Sequence, residues 1–469
     1  MLRPAQEQRW DPVEGFRTAV AASAAQRELR RWTVIALGAL AIAGVYALLL
    51  AVSRIPGADT LFPWPVAFYE KSLIIHVVFS FVVWYLAVGI ILMLIGGYRL
   101  ADGSPKLPGL GAAAIAAMAV AFILLAVPAL MDRGAPSLNN YVPAIIDPIY
   151  YAGLLLVVFA IVLASVRILA NGMTRTGPLE PIGGTGLALA VIALAAVIAF
   201  AVSWNRLGAM PQIAAENEDL FWAGGHMLQF FNTTVMIGGW ILLGGRALGR
   251  PPVTPRIMLL ALAVNALLAL GGLALMFVEV PFSAEERVLY THYQYALAPV
   301  PIFIGLIIGA TLLRTPKPEA EAARTARLAL ALSLVVFFAG GLLGIFVDGT
   351  DTRTPAHYHG VIGGVNVAAM GLVILFVLPL LERGLVRWKA VRASFWLYGL
   401  GQLLHSFGLF IAGGYGAPRK VSDTAPGMDV IGNWIGHVGI GIGGVIAVIG
   451  GIMFIWIAGR RVLARAPQE

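Results

Sequence analysis

The sequence predicts an all-α integral membrane protein with about twelve transmembrane helices. Of its 469 residues, 59% are hydrophobic and only 12% are charged, whereas soluble domains carry about 25% charged residues. The apolar residues fall into twelve runs, each close to the ~20 residues that a helix needs to cross a bilayer. Glycine and proline punctuate the connections between the runs. No stretch has the composition of a soluble domain.

The predicted spans, numbered 1 to 12 in chain order, cover residues 33–53, 72–98, 108–131, 147–170, 184–204, 219–245, 257–280, 295–313, 326–347, 356–382, 393–414 and 434–459. They lie in a single twelve-helix membrane domain, residues 33–460. Residues 1–32 are predicted to be a polar cytoplasmic tail, because they are rich in arginine and lack the apolar core of a signal peptide. Residues 461–469 are predicted to be a second cytoplasmic tail.

Lysine and arginine orient the chain, because the cytoplasmic loops of membrane proteins are enriched in them. With both termini in the cytoplasm, the tails and inner loops hold 24 of the 32 Lys and Arg residues. The formal charge is then +14 on the inner side and −6 on the outer side. We therefore expect a multi-pass protein of a bacterial inner (plasma) membrane. Its surroundings are the lipid bilayer, and no nucleic-acid partner is expected, since the positive charge is spread along the cytoplasmic rim.

The chain contains no cysteine. This excludes disulfides, thiolate-bound copper, iron–sulfur clusters and covalently attached c-type haem within the chain. Any metal must rest mainly on histidine, whose neutral imidazole is the commonest metal ligand in proteins.

All seven histidines are predicted to lie toward the outer face of the membrane. An ionisable side chain at membrane depth is costly and is usually functional or paired. A single histidine in a helix is more often a packing residue, but a group at one depth on spans 2, 6 and 10 favours a shared metal site. The histidines are His76 in span 2, His226 in span 6, His292 before span 8, His357 and His359 in span 10, His405 in span 11 and His437 in span 12.

Two of these histidines, His357 and His359, are separated by one residue at the start of span 10. A helix turns about 100° per residue, so their side chains point about 200° apart. Such a pair cannot easily bind one metal from a regular helix. It can serve two centres, one on each side of the helix.

The ordered set of histidines resembles the catalytic subunit, subunit I, of the heme–copper oxidase superfamily. The segments that carry the resemblance are EKSLIIHVVFSFVVWYLA around His76, FWAGGHMLQFF around His226, YTHYQYALAP around His292 and AHYHGVIGGVN in span 10. The C-type oxidases and the related nitric oxide reductases are the most similar members. The resemblance covers the whole membrane core and rests on the order of the motifs, not on any one of them.

This resemblance implies a role for each histidine. His76 and His359 would be the two axial ligands of a low-spin haem, and His357 would be the proximal ligand of a high-spin haem. His226 and His292 would bind a second metal, copper or non-haem iron, facing the open side of that haem. Both haems would be b-type.

A basic pair follows span 11 in the loop GGYGAPRK. By the same resemblance, Arg419 and Lys420 would pair with haem propionates. The alternative is that both are solvated loop charges.

The sequence departs from the family at the second metal. The family has two adjacent histidines after span 7, but Thr291 and His292 stand here, and two imidazoles are few ligands for copper. His405, His437 or Glu279 could supply the missing ligand, or the site lacks the metal.

The catalytic tyrosine of the oxidases is also displaced. Phe230 stands where A-type enzymes have it, and span 7 contains no tyrosine. The tyrosines that flank His292 are the remaining candidates, and we take Tyr293 as the catalytic one. The glutamates of the nitric oxide reductases are absent too, since Gln229, Phe230 and Asn232 occupy that part of span 6.

Three functions are consistent with these patterns. The first is a divergent oxidase that takes electrons from a cytochrome c-like or other donor on the outer side and reduces dioxygen to water. The second is a nitric oxide reductase of the same superfamily. The third is a membrane haem protein without turnover, used in gas sensing, haem handling or electron relay. Because no carboxylate lies near a helix midpoint, we expect weak or absent proton pumping, with protons taken up from the outer side near Glu279, Glu285 and Glu286.

Overall fold

The computed structural model describes residues 11–53, 67–139, 141–347, 349, 351–384, 387–418 and 431–464. Within these residues, twelve helices are long and apolar enough to cross a membrane, and the predicted fold class is confirmed. Numbered in the same order, the spans are Ser23–Leu49, Tyr69–Leu100, Pro108–Leu130, Pro148–Met173, Pro181–Leu207, Ala214–Leu248, Pro255–Leu275, Ala284–Arg314, Glu321–Phe346, Arg353–Leu380, Trp388–Gly414 and Ile431–Leu463.

Several spans are composed of more than one helical segment. Two central spans each contain a π-helical segment, where the backbone hydrogen bonds skip one residue more than in an α-helix. Span 2 lies within the helix Ala67–Val77, the π segment Val78–Val83 and the helix Trp84–Leu100. Span 10 consists of Arg353–Leu372, the π segment Val373–Val377 and Leu378–Leu380. Span 8 joins Ala284–Tyr293, the 3-10 turn Gln294–Leu297 and Pro299–Arg314, and span 9 joins Glu321–Leu343 to the 3-10 turn Gly344–Phe346.

Spans 2, 6 and 10 form the centre of the bundle. In each of them 89% of an 18-residue apolar stretch is buried, compared with 22% to 56% of the corresponding stretch in the other nine described spans. A helix that is apolar on all sides is stable in this position because other helices surround it. These three spans carry four of the seven histidines, His76, His226, His357 and His359.

The first span begins at Ser23, ten residues before its predicted start. The extra turns contain Glu28, whose carboxylate forms an ion pair with Arg167 of span 4. The hydroxyl of Tyr98 in span 2 donates a second hydrogen bond to Glu28, at 3.0 Å. Because two neighbouring spans satisfy this charge, the helix continues through a polar segment that hydropathy alone assigns to the tail.

Part of the predicted tail also packs against the bundle. A short helix, Pro12–Arg17, buries Val13 and Phe16. The ring of Phe16 meets that of Phe376 in span 10 edge to face, with 5.7 Å between the ring centres.

A two-stranded antiparallel sheet joins spans 3 and 4, and no sequence pattern predicts it. Strand Ala135–Ser137 pairs with Ala144–Ile146. The hydroxyl of Ser137 accepts a hydrogen bond from the Asn217 amide of span 6 at 3.0 Å. The sheet therefore holds the loop that contains Tyr141 against the first half of span 6.

Candidate functional site

His357 and His359 contact different helices. The Nδ1 of His357 lies 2.8 Å from the carbonyl oxygen of Gly340 in span 9. The ring of His359 instead meets His405 of span 11 edge to face, with 4.7 Å between the ring centres and 77° between the ring planes. The two side chains therefore lie on different sides of span 10, as the spacing of the pair requires.

The His357 ring is fixed in position by the close approach of span 9. A Cβ atom added to Gly344 would lie 2.4 Å from the His357 Nδ1, so only glycine leaves room for the ring. Since a carbonyl oxygen only accepts hydrogen bonds, Nδ1 carries the proton and donates it to Gly340. The lone pair of the neutral ring is then on Nε2.

His76 is oriented in the same way. Its Nδ1 lies 2.9 Å from the carbonyl oxygen of Ala43 in span 1, which again places the proton on Nδ1 and the lone pair on Nε2. His405 lies against the ring of His359, and His76 is close to the same ring. Spans 2, 10 and 11 thus bring three histidines together.

A buried hydrogen-bond network fixes the relative positions of these three spans. The indole N–H of Trp84 in span 2 donates to the Asn366 side-chain oxygen in span 10 at 2.9 Å. The Asn366 amide in turn donates to the Tyr398 hydroxyl in span 11 at 2.7 Å. The Tyr85 hydroxyl adds a bond to the Ile362 carbonyl oxygen at 3.0 Å. Since Asn366 lies seven residues beyond His359, the network supports the histidine cluster from two helical turns away.

His405 is held by span 12. Its Nδ1 lies 2.9 Å from the carbonyl oxygen of Ile440, and a Cβ atom on Gly443 would lie 2.3 Å from the His405 backbone nitrogen. The edge-to-face contact with His359 leaves no space for a haem between the two rings. His405 therefore lies beside His359 and not opposite it.

His226 has a different environment, in which both ring nitrogens are used. Nδ1 lies 2.8 Å from the carbonyl oxygen of Trp222, and Nε2 lies 2.8 Å from the hydroxyl of Tyr141. The ring centres of Tyr141, Trp222 and Tyr290 lie 4.5, 4.9 and 5.4 Å from that of His226. Only 1% of His226 is exposed. It is enclosed in an aromatic box.

Span 8 directs tyrosines, not His292, toward span 7. The Tyr290 hydroxyl donates to the Gly272 carbonyl oxygen at 2.7 Å, and the Tyr293 hydroxyl donates to the Leu268 carbonyl oxygen at 2.8 Å. His292 is exposed, because on this helix its side chain points more than 90° away from the face that the two tyrosines share.

The comparisons with known proteins identify the family. Residues 29–453 match the family described as Cytochrome C and Quinol oxidase polypeptide I. The chain belongs to this family. The resemblance of the sequence to subunit I of the heme–copper oxidases is thereby confirmed. The chain is a membrane protein of an oxidoreductase family.

Similar proteins agree with this subunit I assignment. An uncharacterized protein of Rickettsia prowazekii is 24% identical, with 92% of this chain and 94% of the relative aligned. An uncharacterized protein of Aquifex aeolicus is 28% identical over 74% of this chain and 83% of the relative. A chain from the cryo-EM structure of a heme-copper terminal oxidase dimer has the same fold, with a TM-score of 0.75 at 14% identity over 96% of this chain and 86% of that one.

The histidines on spans 2 and 10 fit the haems of a subunit I. Histidines that bind metals typically donate their second ring N–H to a carbonyl, which fixes the tautomer and directs the ring. His76 and His357 do so through Ala43 and Gly340. His359 is oriented by its contact with His405.

The residues around His226 do not fit the second metal of a subunit I. The Nε2 lone pair, which a metal would need, accepts a hydrogen bond from Tyr141, and the structure does not bring the exposed His292 to the aromatic box. Across the part of the chain that the structure describes, no group of three or more His, Cys, Asp or Glu residues is arranged to bind a metal ion. His405, considered from the sequence as an additional ligand there, lies beside His359 instead.

The tyrosine that is hydrogen-bonded to His226 is Tyr141, which no sequence pattern indicated. Tyr293, predicted to be catalytic, stacks on Phe230 with 5.4 Å between the ring centres, and its hydroxyl is bonded to span 7. Tyr141 lies in a loop 85 residues from His226. No spacing or motif in the sequence links the two.

The remaining predicted residues have simpler environments. His437 bonds through Nδ1 to the Asn433 carbonyl oxygen of its own helix at 2.8 Å, as a packing histidine would. Glu286 is buried and lies 3.4 Å from Arg206, whereas Glu279 and Glu285 are exposed. Arg419 and Lys420 lie outside the described residues, so their pairing with haem propionates stays a prediction.

Proposed function

We propose that the chain binds two b-type haems and transfers electrons from an outer-side donor to a diatomic gas, with dioxygen as the substrate. The donor would be a cytochrome c-like protein or a partner subunit. The observation that supports this best is the division of span 10. His359 joins His76 and His405 on one side, and His357 contacts span 9 on the other.

His76 and His359 would hold the low-spin haem, and His357 would hold the high-spin haem. When bound, a haem with two histidines transfers electrons, whereas a haem with one histidine keeps a position open for a diatomic gas. The protein supplies the orientation. The bonds to Ala43 and Gly340 fix the rings of His76 and His357, and the Trp84–Asn366–Tyr398 network keeps spans 2, 10 and 11 in register.

A membrane haem protein without turnover is the second candidate. It is favoured by the environment of His226, because a subunit that reduces gas beside copper or non-haem iron needs ligands that this pocket does not offer. Gas sensing, haem handling and electron relay all require the haem-binding histidines only. The same observation weighs equally against dioxygen and nitric oxide reduction at a haem–metal pair.

An optical and electron paramagnetic resonance study of the purified full-length protein tests the proposal. We expect two b-type haems per chain, one low-spin and one high-spin. His359→Ala should remove essentially all of the low-spin signal and spare the high-spin haem, whereas His357→Ala should do the reverse. Loss of the same haem in both variants, or one haem or none in the wild type, would overturn the assignment. Consumption of dioxygen or of nitric oxide with a reduced donor then separates the two substrates from a protein without turnover.

The orientation follows from the distribution of basic residues. We propose that both termini are cytoplasmic and that the chain resides in a bacterial inner membrane. Reporter fusions at the two termini and in the loop between spans 3 and 4 would test this, since the two termini should report the cytoplasm and the loop should report the outer side.

A further inference from the structure

We propose that His226 is not a metal ligand and that it forms a hydrogen-bonded dyad with Tyr141, so that no copper or non-haem iron is bound at His226. This inference rests on the proposed function and removes a second metal from it, because it concerns the position at which other subunits I would bind that metal. It stands on the tautomer of His226, on the atoms that surround the ring and on the residues that span 8 contributes.

The tautomer of His226 follows from its two partners. The Trp222 carbonyl oxygen can only accept, so the Nδ1 of His226 must carry a proton. In the neutral ring, Nε2 then has the only lone pair, and the Tyr141 hydroxyl donates to it at 2.8 Å. Copper, zinc and iron bind a deprotonated imidazole nitrogen through that lone pair. The hydroxyl and the metal therefore compete for the same atom.

Tyr141 is a persistent donor. A phenol has an ordinary pKa of about 10 and is therefore protonated, and able to donate, at neutral pH. Its position is also fixed, because a Cβ atom on Gly225 would lie only 2.5 Å from the Tyr141 Cβ. The ring thus rests on the bare backbone of span 6, one residue from the histidine that it binds.

Two buried polar atoms near the pair that have no partner among the described residues are both hydrogen-bond donors, and donors do not bind a cation. The indole N–H of Trp222, whose ring adjoins that of His226, is buried without a partner. The side-chain amide nitrogen of Asn139 is likewise buried and unpartnered, while its oxygen accepts from the Tyr141 backbone N–H at 3.1 Å. A metal ion needs lone pairs, whereas these N–H groups can bind only water or another oxygen-bearing ligand.

Span 8 places a tyrosine, not a metal ligand, beside His226. Tyr290 is fully buried, with its ring centre 5.4 Å from that of His226, and its hydroxyl is committed to the Gly272 carbonyl oxygen. A metal ligand from this span would have to displace Tyr290, because His292 is exposed on another face of the helix.

Metal and haem analysis of the same purified, full-length sample tests the inference. After incubation with Cu²⁺ or Fe²⁺ and removal of loosely bound ions, we expect all iron to be accounted for by haem and copper to be far below one atom per chain. One copper or one additional iron per chain that disappears in His226→Phe would overturn the inference. The haem count from the same sample tests the proposed function separately, so the two failures are distinguishable.

Infrared difference spectroscopy tests the dyad directly. The tyrosine C–O band that is missing in Tyr141→Phe should be shifted in His226→Phe, since the hydroxyl then loses its acceptor. His437→Phe is the matched control, because the Nδ1 of that histidine bonds to the Asn433 carbonyl oxygen within its own helix, and the band should be unchanged. A Tyr141 band that is the same in His226→Phe and in the wild type would refute the hydrogen bond.

Discussion

The two histidine environments at one end of the bundle differ in whether the Nε2 lone pair is available to a metal. His76 and His357 each donate Nδ1–H to a carbonyl of a neighbouring span and keep the Nε2 lone pair for another partner. His226 also donates Nδ1–H to a carbonyl, but its Nε2 accepts from a tyrosine. The residue type is the same in both. The group that faces the second nitrogen decides whether the histidine can bind a metal.

The largest effect is expected from Gly344→Ala, which changes the packing around His357. The new Cβ atom would lie 2.4 Å from the His357 Nδ1, and overpacking of this kind costs about 1–3 kcal/mol. We expect loss of the high-spin haem with the low-spin haem retained, measured by optical and electron paramagnetic resonance spectra. Gly341→Ala is the control, since a Cβ atom there has nothing within 4 Å. Equal haem loss in both variants would contradict the role of this close contact.

A smaller effect is expected from His405→Phe. Phenylalanine keeps a ring against His359 but removes the imidazole and its bond to the Ile440 carbonyl oxygen. We expect the low-spin haem to remain bound, with its midpoint potential shifted on the order of tens of millivolts, because the polarity of the groups beside an axial ligand tunes haem potentials. Redox titration measures the shift. His437→Phe should leave the potential unchanged, and a shift of the same size there would show that the effect is not specific to His405.

The smallest effect is expected from Tyr141→Phe on the His226 side. One hydrogen bond is lost, which costs about 1 kcal/mol, and the thermal unfolding midpoint in detergent should fall slightly. The content and spectra of both haems should not change. A haem lost in this variant would mean that the two histidine environments are not independent, and the comparison between them would fail.

Local rules were sufficient for much of the fold. The apolar runs gave the twelve spans, because spanning a bilayer requires about 20 apolar residues in continuous helix. The separation of His357 from His359 also followed from the sequence, since it depends only on the turn of one helix. The start of span 1 was not predicted correctly, because Glu28 pairs with Arg167, 139 residues away. A hydropathy pattern contains no information about such distant partners.

The site was less predictable because its decisive contacts join distant residues. His226 has the sequence position expected of a metal ligand, but its Nε2 lone pair accepts a hydrogen bond from Tyr141. Tyr141 lies in a loop between two paired strands that no sequence motif predicts. His405 was considered for the second metal, yet its ring packs against His359. Tyr290 and His292 lie on one ten-residue helix. The rotation of that helix about its axis decides which of the two points inward, and residue spacing alone did not determine this rotation.

The ion pair between Glu28 and Arg167 has a consequence for how the protein is made. Glu28 lies in the first span and Arg167 in the fourth, and a charge without a partner is costly in the membrane. The glutamate is made 139 residues before its arginine. The ion pair can therefore form only after the fourth span has been made, so the contact that holds the polar start of the first span is completed late in synthesis.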